Sequence, residues 1–466
     1  MTVPPRLEPL LRIDAPSVEL ARRFAASGYH LYLVGGTVRD ALLDRQGEDL
    51  DFTTEARPDI IKELVAPWAD DLYLAGEVYG TVGAIKHGRV FEITTFRSEL
   101  YRGESRKPEV TFSDSIAEDL SRRDFTVNAM AMRLPGAPGE VPVMIDPHDG
   151  LVDLVGRLLR TPLDPAIAFG DDPLRMLRLF RFVSTLGFAP DAAAVEAVRS
   201  MHRRLEIVSA ERIRDELDKL MIGDHVGAGL SGVVDTGLAD EFIPEVPALA
   251  LEQDPYQRHK DVLAHTIAVV EKTNRILELR LAALFHDIGK PATRQFGPGG
   301  VSFHHHEVVG ARMTRQRMRA LRYSKQMVRD VSQLVFLHMR PHTFKMGWTD
   351  SAVRRYVRDA GPLLDLLNEL VRCDVTTRNE KRARSIQRRI DELEVRIGEL
   401  RKQEELDALR PPIDGNEVMA YLGLAPGPIV GEIMRELLER RIEHGPYSVD
   451  EAHALLDTWQ EEHGEG

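Results

Sequence analysis

Two aspartates near the N-terminus are spaced so that both could bind one metal ion. Asp49 and Asp51 follow a glycine turn at Gly35 and Gly36, with an apolar run before the turn that predicts a strand and a helical pattern after it. Backbone N–H groups at such a turn, together with a helix N-terminus, form a binding site for phosphate. The apolar residues around Asp51 predict a second strand, on which both carboxylates point to the same side. This arrangement predicts magnesium-dependent phosphoryl or nucleotidyl transfer, although an isolated Asp-x-Asp also suits a solvated turn.

A third carboxylate lies on a predicted hairpin. Residues 81–85 and 90–96 alternate between apolar and polar side chains and flank a glycine-containing turn, which is typical of two paired strands. On the second strand Phe91 and Ile93 share one face, and Glu92 points to the other. Glu92 would either face water or, if its strand lies beside that of the two aspartates, complete a carboxylate triad around two metal ions.

Several segments resemble the motifs of a known family. They are LVGGTVRD at 33–40 with EDLD at 48–51, FEITTFR at 91–97, RRDFTVNAM at 122–130 and DDPLRMLR at 171–178. In this order they resemble the class II tRNA nucleotidyltransferases, the CCA-adding enzymes, whose close relatives include bacterial poly(A) polymerases. The similarity runs through most of residues 28–245, and the last motif departs mildly, because the family more often begins it with Glu-Asp.

The resemblance implies which residues carry the chemistry. Asp49, Asp51 and Glu92 are implied to be catalytic, with two Mg²⁺ ions at Asp49 and Asp51. The residues implied to bind the nucleotide are Gly35, Gly36, Arg39, Arg123, Asp124, Asn128, Asp172, Arg175 and Arg178. In the implied reaction an RNA 3′ hydroxyl attacks the α-phosphate of a nucleoside triphosphate and pyrophosphate leaves. Guanidinium groups suit the triphosphate because they bind phosphate in bidentate fashion. On sequence alone, Arg123 also suits a solvated surface and Asp124 a helix cap.

The pair Asp172 and Arg175 suits selection of the incoming base. The carboxylate only accepts hydrogen bonds and the guanidinium only donates them. Together they match an edge with an exocyclic amine beside a ring-nitrogen acceptor, which cytosine and adenine present and guanine and uracil do not. A polar site of this kind rejects a mismatched base because its groups are left unpaired. The same residues also suit an ordinary helix start with Pro173 near its beginning, and only the resemblance favours base selection.

Histidines and aspartates in the middle of the chain form a second candidate metal site, mostly within or at the ends of predicted helices. Their pattern resembles an HD domain, a metal-dependent phosphohydrolase fold that follows the nucleotidyltransferase in some members of the family. The implied divalent-metal ligands are His265, His286, Asp287 and Asp374, with His306 and His338 as additional candidates. Because adjacent helix residues diverge, we expect His286 and Asp287 to share an ion off the end of their helix, where Gly289 would form the C-cap. The metal's identity and the domain's hydrolytic activity are open.

Composition sets limits on the class of protein. The chain has 466 residues, of which 43% are apolar, enough for several hydrophobic cores. Cys373 is its single cysteine, which excludes a disulfide framework or a cysteine zinc cluster. The sequence contains no charged-then-apolar leader and no apolar run of membrane length, so we expect a cytoplasmic protein with no membrane partner.

The charge distribution bears on the expected RNA partner. The net charge is −13, whereas phosphate contacts by cations supply most nucleic-acid affinity. Positive charge is concentrated in two segments, 312–329 and 378–389. Each suits either a solvated helix face or an RNA-binding surface. The acidic total argues against indiscriminate nucleic-acid binding and fits one compact RNA partner, which the resemblance identifies as tRNA.

The resemblance implies an α+β architecture in four parts. They are a mixed α/β nucleotidyltransferase head of the polymerase-β type at 17–150, an all-α neck with the nucleotide-selecting helix at 151–225, an HD metal-binding helical domain at 226–379 and a helical tail that contacts tRNA at 380–466. The polar segment 98–108 resembles the flexible loop of full CCA-adding enzymes.

The predicted function is template-independent addition of CCA to tRNA 3′ ends from CTP and ATP, with release of pyrophosphate. A poly(A) polymerase, or an enzyme that adds only CC or only A, is the nearer alternative. A third alternative makes the HD phosphohydrolase the working part and the head a degenerate RNA-binding module. The intact carboxylates and arginines of the head make this third alternative the weakest, and the oligomeric state is open.

Overall fold

The structure is a computed structural model that describes residues 7–8, 15–45, 49–74, 76, 80–100, 109–251, 261–297, 300–341, 344, 347–375, 380–404 and 409–463. Glu48 of the first motif and residues 101–108 of the polar segment lie outside the described residues. The chain forms two compact units, Met1–Pro247 and Ala248–Gly466. Among the described residues, none of the helices has both the length and the apolar character needed to cross a bilayer.

The head of the first unit is a mixed sheet with helices, as expected. Its elements are α1 (Pro16–Ala26), β1 (Tyr32–Val34), α2 (Gly36–Leu42), β2 (Asp49–Thr54), α3 (Pro58–Val65), β3 (Asp71–Tyr73), β4 (Thr81–Lys86), β5 (Arg89–Thr95), β6 (Arg97–Leu100), β7 (Glu109–Phe112), α4 (Ile116–Ser121), β8 (Ala131–Arg133) and β9 (Val143–Ile145). A seven-stranded sheet has the order β3-β4-β5-β2-β1-β8-β9, and β6 pairs with β7 separately. In the large sheet β2 and β5 are parallel, and the other neighbouring strands are antiparallel. The parallel pair brings together two segments that are distant in sequence.

The predicted hairpin of β4 and β5 is present and has an apolar and a polar face. Its two-residue turn places His87 at φ 51° and Gly88 at φ 75°, a conformation that matches the twist of paired strands. On the apolar face Phe52 stacks on Phe91 at a centroid distance of 5.7 Å, and Trp68 meets Phe91 edge-on at 5.0 Å. This packing leaves the opposite face of β2 and β5 to polar side chains.

A helical region completes the first unit. Its elements are α5 (Gly150–Gly156), β10 (Leu158–Leu159), α6 (Pro165–Asp171), α7 (Leu174–Leu186), β11 (Ala189–Pro190), α8 (Ala192–Met201), α9 (Ala210–Met221) and α10 (Val226–Asp235). α7 packs against both α9 and α10. A Cβ at Gly232 would lie 2.2 Å from the Phe180 ring, so glycine permits this close approach. Residues 226–247 therefore lie in the first unit, whereas the sequence analysis assigned them to the HD domain.

The second unit is almost entirely helical. Its elements are α11 (Val262–Lys272), α12 (Leu277–Phe285), α13 (Lys290–Thr293), β12 (Gln295–Gly297), β13 (Gly300–Ser302), α14 (His306–Ala320), α15 (Lys325–Leu337), α16 (Asp350–Ala360), α17 (Leu364–Cys373), α18 (Glu380–Glu404), α19 (Gly415–Leu422), α20 (Pro428–His444) and α21 (Val449–His463). The expected C-cap at Gly289 is wrong, since Gly289 has φ −78° and immediately precedes α13. A Cβ there would lie 2.2 Å from the carbonyl oxygen of His306, so the glycine allows α14 to approach closely.

The long charged helix α18 packs along its own unit. Its apolar residues Ile390, Leu393, Ile397 and Leu400 are buried, and the helix contacts α16 and α17. The tail that follows has a separate small core formed by α19, α20 and α21 around residues such as Val418. The apolar residues of α18, spaced three or four apart, are thus buried within the second unit.

Candidate active site and metal centre

The structure places the three predicted catalytic carboxylates on one face of two adjacent strands. In the parallel pairing of β2 and β5, Asp51 lies directly opposite Glu92. Asp49 precedes Asp51 by two residues and so points to the same face, while Leu50 between them is buried. Glu92 is exposed between the buried residues Phe91 and Ile93. The hard oxygen donors that a magnesium ion prefers therefore converge.

Charges of both signs surround Asp51. Burial raises the pKa of the Asp51 carboxyl, Arg123 lowers it, and the nearby carboxylates of Glu92 and Asp49 raise it further. Three like charges on one face repel each other, and a divalent cation would relieve this repulsion. The backbone N–H of Asp51 donates to Thr37 Oγ1 over 2.9 Å, which ties β2 to the first turn of α2. The donor set and its charge thus fit a divalent metal.

The glycine turn brings backbone and an arginine close to the carboxylates. Gly35 has φ 65° and ψ −129°, which favours glycine, and a Cβ there would lie 2.8 Å from Nη1 of Arg123. A Cβ on Gly36 would lie 3.8 Å from Oδ2 of Asp51. Arg123 is anchored through Nη2 to Asp119 Oδ2 at 3.1 Å. A Cβ on Gly36 would also lie 3.6 Å from Nη2 of Arg39. The turn therefore brings main-chain atoms and the guanidinium groups of Arg39 and Arg123 close to Asp51.

Four of the predicted nucleotide-binding residues are joined in a network of their own. Arg39 Nη1 donates to Asn128 Oδ1 over 2.6 Å, and Asn128 Nδ2 donates to Asp124 Oδ1 over 2.9 Å. Arg178 Nε donates to Asp124 Oδ2 over 2.9 Å, and Arg178 Nη1 donates to Glu216 Oε1 over 3.1 Å. Burial raises the pKa of Asp124, but Arg178 and Asn128 outweigh it and hold that pKa well below its usual range. These side chains clamp the segment 122–130 against α7.

The two residues predicted to select the base lie close in sequence but bind different partners. Asp172 Oδ1 accepts from the backbone N–H of Leu174, and Asp172 Oδ2 accepts from Arg212 Nη2 over 3.0 Å. Arg175 donates to the backbone carbonyls of Ala168, over 3.2 Å, and Arg122. Both side chains are partly exposed. The alternative of a helix start is also partly realised, since Asp172 immediately precedes the N-cap Pro173 and its carboxylate accepts from the first backbone N–H of α7.

Sequence reasoning missed the partners that these networks require. Arg212 on α9 holds Asp172, and Glu216 one turn later binds Arg178. The signal was the pattern of α9 itself, because a spacing of four residues puts Arg212 and Glu216 on one helix face. Lys290, which follows the His286–Asp287 pair, was also missed.

In the second unit, six predicted ligands converge at helix ends and form two groups. His265, His286 and Asp374 form one, and Asp287, His306 and His338 form the other. Of the three histidines at 304–306, only His306, the candidate ligand, is buried. The sequence predicted one ion off the end of the helix that bears His286 and Asp287. The structure offers two candidate metal positions there, one for each group of three side chains.

Hydrogen bonds orient the histidines for ligation. The Nδ1 atoms of His286, His306 and His338 donate to backbone carbonyls three residues earlier, over 2.7, 2.9 and 2.6 Å. Because a carbonyl only accepts hydrogen bonds, each Nδ1 atom carries a proton. The Nε2 atom of each ring is then the one available to a metal. The buried Nε2 of His286 has no hydrogen-bond partner among the described residues, and the Nε2 atoms of His306 and His338 lie 3.3 Å apart. Two facing lone pairs are satisfied by a shared cation, so this donor set fits a metal.

The carboxylates of the second unit supply the negative charge. Asp374 Oδ1 lies 2.9 Å from His265 Nε2, and Asp287 Oδ2 lies 3.2 Å from His286 Nε2. Asp287 Oδ1 faces the other group, 3.4 Å from His306 Nε2. Burial lowers the pKa of His286, but Asp287 and Asp374 outweigh burial and raise it to about 10. A divalent cation would take the place of the proton that these carboxylates attract.

Within this cluster Lys290 is paired with a carboxylate, whereas His306 and His338 are neutral imidazoles. Lys290 Nζ lies 2.6 Å from Asp287 Oδ2, so it neutralises the oxygen nearest His286. Burial and the neighbouring His286 lower the pKa of His338 to about 3, and burial also lowers that of His306. Both of these imidazoles are therefore neutral at physiological pH, the form that binds metal.

Comparisons with known families agree with this division of the chain. Residues 31–160 match the family described as poly A polymerase head domain, residues 187–249 match the probable RNA and SrmB-binding site of polymerase A, and residues 262–379 match the HD domain. These matches confirm the expected sequence of head, helical region and HD domain.

Two kinds of relative are similar to the chain. The A-adding tRNA nucleotidyltransferase of Deinococcus radiodurans is 34% identical over 445 residues, covering 92% of this chain and 95% of that protein. The CCA-adding enzyme of Limosilactobacillus reuteri is 40% identical over 234 residues, covering 50% of this chain and 56% of the relative. The chain thus aligns with about half the length of the CCA-adding relatives.

Solved structures confirm the fold. The Bacillus stearothermophilus CCA-adding enzyme in complex with CTP superposes with a TM-score of 0.66 at 23% identity, covering 99% of this chain and 100% of that one. The Thermotoga maritima CCA-adding enzyme complexed with tRNA has a TM-score of 0.58 at 16% identity, covering 98% and 96%. The class defined by fold and site is a polymerase-type head joined to an HD domain. The chain belongs to the tRNA nucleotidyltransferase family.

Proposed function

We propose that this protein adds C, C and A to tRNA 3′ ends from CTP and ATP. The observation that carries the proposal is the register of β2 and β5, which sets Asp51 beside Glu92 with Asp49 on the same face. Similarity along nearly the whole length of a tRNA nucleotidyltransferase supports tRNA as the substrate. The retained carboxylates argue against a degenerate head.

The roles of the head residues follow from their positions. Asp49 and Asp51, with Glu92, would hold two Mg²⁺ ions, which lower the pKa of the attacking RNA hydroxyl and neutralise charge on the leaving pyrophosphate. Arg123 lies against the glycine turn, where its guanidinium can bind a phosphate in bidentate fashion. The turn itself offers main-chain N–H groups beside Asp51.

We propose that Asp172 and Arg175 read the Watson–Crick edge of the incoming base, with Arg212 holding Asp172 in place. Arg212 already satisfies one carboxylate oxygen, at 3.0 Å, so the carboxylate is oriented before the nucleotide arrives. The remaining acceptor capacity of Asp172 suits an exocyclic amine, which CTP and ATP have and UTP lacks. Arg175 needs a ring-nitrogen acceptor beside that amine, which CTP and ATP have, whereas UTP and GTP present a ring N–H there. The pair would therefore select CTP and ATP over UTP and GTP.

A second candidate is the addition of the terminal A alone. The observation that favours it is the match to an A-adding enzyme over 95% of that protein's length, whereas the CCA-adding relatives align over about half. Both candidates use the same carboxylates and release pyrophosphate. They differ in whether a tRNA that ends before CCA accepts CTP.

A nucleotide-omission assay decides between the candidates. Recombinant protein with Mg²⁺ is incubated with one tRNA that lacks CCA and another that ends in CC, with CTP, ATP, UTP or GTP alone or with CTP and ATP together. We expect CTP to add two residues to the first tRNA, ATP to add one residue to the second, and UTP and GTP to add nothing. Extension of only the CC-ended tRNA supports A addition, and a long tail from ATP alone supports a poly(A) polymerase.

We propose that the second unit is a metal-dependent phosphohydrolase with two adjacent cation positions. Asp287 faces both ligand groups through its two oxygens and would bridge them. Divalent metals at such a site supply an activated water for attack on a phosphate ester. Hydrolysis of p-nitrophenyl phosphate or bis(p-nitrophenyl) phosphate with added Mn²⁺, Ni²⁺ or Mg²⁺, and its loss in His286→Ala, tests this; absence of hydrolysis with every metal contradicts it.

We propose that the helical hairpin of α14 and α15 contacts the tRNA backbone. Arg312, Arg315 and Arg319 share one face of α14 and are exposed, as are Lys325 and Arg329 at the start of α15. In the described part of the chain, none of these five has a carboxylate within salt-bridge distance. This unneutralised cluster suits phosphate groups.

The second basic segment differs, because its helix also carries acidic residues. Within the segment Arg388 lies 3.4 Å from Glu392, and further along α18 Arg396 lies 2.8 Å from Glu399. Ion pairs of this kind belong to a solvated helix face. The two segments, equivalent in sequence, are thus distinguished by their neighbours, and α14 with α15 is the better candidate.

A further inference from the structure

A tyrosine from the edge of the sheet reaches the carboxylate site across an intervening strand. In the strand pairings Tyr73 lies opposite Gly83, Gly83 opposite Glu92, and Glu92 opposite Asp51. These four residues form one row across β3, β4, β5 and β2, and directly paired residues point to the same face of a sheet. The Tyr73 hydroxyl donates to Glu92 Oε1 over 3.0 Å.

Gly83 makes this reach possible. A Cβ on Gly83 would lie 2.0 Å from Cζ and 2.1 Å from Cε2 of Tyr73, so the ring lies flat over the glycine. Any side chain at this position would have to displace the ring. Neighbouring strands are about 4.8 Å apart, so Glu92 is two strand spacings from Tyr73 and only a side chain lying along the row can bridge that distance.

The contact restricts a carboxylate that is otherwise free to move. Glu92 is exposed, and its long side chain has several rotamers in water, whereas Asp49 and Asp51 have short ones. A hydrogen bond to Oε1 fixes the carboxylate while Oε2 keeps its full capacity as a ligand. Hydrogen-bonding partners of metal ligands orient those ligands and raise metal affinity.

We propose that Tyr73 is a positioning residue that holds Glu92 in the geometry for binding metal, and that Gly83 provides the space for its ring. The inference rests on the proposed metal-binding role of Glu92. In this role Tyr73 acts through Glu92, and the role requires no contact of Tyr73 with the RNA or the nucleotide. Tyr73 therefore affects metal affinity first and chemistry only through the metal.

The test is Mn²⁺ binding to the full chain, followed by the electron paramagnetic resonance signal of free Mn²⁺ without RNA or nucleotide. The ions lost in Asp51→Asn define the head positions and separate them from ions at the second unit. We expect Tyr73→Phe to weaken binding at the head positions by about tenfold. The matched control is Tyr32→Phe, which removes a hydroxyl from β1 of the same sheet and should bind Mn²⁺ as the parent does.

Gly83→Ala gives an independent perturbation of the same contact. Its new methyl group should push the ring off the row and weaken Mn²⁺ binding as Tyr73→Phe does, and the double variant should be no weaker than either single variant. In the nucleotidyl-transfer assay, Tyr73→Phe should raise the Mg²⁺ concentration for half-maximal rate, with kcat recovered at high Mg²⁺ and KM for CTP unchanged.

Three results would overturn the proposal. They are parental Mn²⁺ affinity in Tyr73→Phe, equal weakening in Tyr32→Phe, and additive losses in the double variant. Since the binding experiment uses neither tRNA nor nucleotide, its outcome is independent of which reaction the protein catalyses. If Asp51→Asn loses no Mn²⁺, the metal site of the proposed function fails first, and that result is distinguishable from failure of the Tyr73 contact.

Discussion

The two candidate metal sites of this chain differ in how they present their ligands. In the head, Asp49 and Glu92 are exposed on a strand surface that is open to a substrate. In the second unit His286, Asp287 and His338 are each 1% exposed. Exposed carboxylates suit ions that arrive with a triphosphate, whereas a buried set of imidazoles and carboxylates suits a resident metal. Ligand type and burial thus distinguish a substrate-linked site from a resident one.

The largest expected effect separates the two sites through the head. Asp51→Asn keeps the size of the side chain but removes its charge, so we expect nucleotidyl transfer to fall by roughly a thousandfold. Incorporation of labelled CTP into tRNA measures this loss. The metal content of the second unit should be unchanged, and transfer at the parental rate in Asp51→Asn would refute the assignment of the head.

The reciprocal variant tests the second unit. His286→Ala removes the buried imidazole that faces both Asp287 and Asp374, so we expect loss of the tightly bound metal, measured by elemental analysis of purified protein. Nucleotidyl transfer should stay within about twofold of the parental rate, because the head keeps its own ligands. His305→Ala is the matched control, since His305 is an exposed histidine outside both groups of candidate ligands. A large loss of transfer in His286→Ala alone would mean that the two sites are not independent.

A smaller effect is expected from the exposed cations of the second unit. The triple variant Arg312→Gln, Arg315→Gln and Arg319→Gln should weaken tRNA binding by about tenfold at low salt and lower the slope of log affinity against log salt by roughly 2. Filter binding at several salt concentrations measures both quantities. The control Arg388→Gln, Arg401→Gln and Lys402→Gln removes the same charge from α18 and should bind nearly as the parent does. Identical behaviour of the two triple variants would exclude α14 as the specific contact.

The smallest expected effect concerns base selection. Arg212→Gln releases one oxygen of Asp172, which Arg212 now holds at 3.0 Å, and we expect the preference for CTP over UTP in kcat/KM to fall by about threefold to tenfold. Arg214→Gln, which removes a neighbouring arginine paired with Asp215, is the control. If Arg212→Gln prefers CTP over UTP as strongly as the parent does, Arg212 does not position Asp172 for base selection.

Local patterns predicted the elements of the site, and non-local pairing decided its contacts. Side chains of a strand alternate between its two faces. This alternation was sufficient to place Asp49 and Asp51 on one face of β2, and to place Glu92 and Phe91 on opposite faces of β5. The position of β5 beside β2 depends on the strand order of the whole sheet, which no short segment of sequence determines. The resemblance to the family predicted a carboxylate triad, and the parallel register of β2 and β5 sets Asp51 directly beside Glu92.

The same reasoning explains one wrong prediction and one set of contacts that the sequence did not show. Gly289 fits a C-cap by its place after a helix, but the carbonyl of His306 on a distant helix is what requires glycine there. Arg39, Asp124 and Asn128 have donors and acceptors that suit a nucleotide, yet most of this capacity is used within the protein. Partners separated by many residues change the role of a side chain without any signal in its immediate sequence.

The most direct measurement of the central claim is the anomalous diffraction of Mn²⁺ in crystals of the protein with a non-hydrolysable CTP analogue. We predict manganese peaks between Asp49, Asp51 and Glu92, next to the triphosphate, in addition to those at the second unit. Peaks confined to His265, His286, Asp287, Asp374, His306 and His338, with the nucleotide absent from the head, would contradict the account.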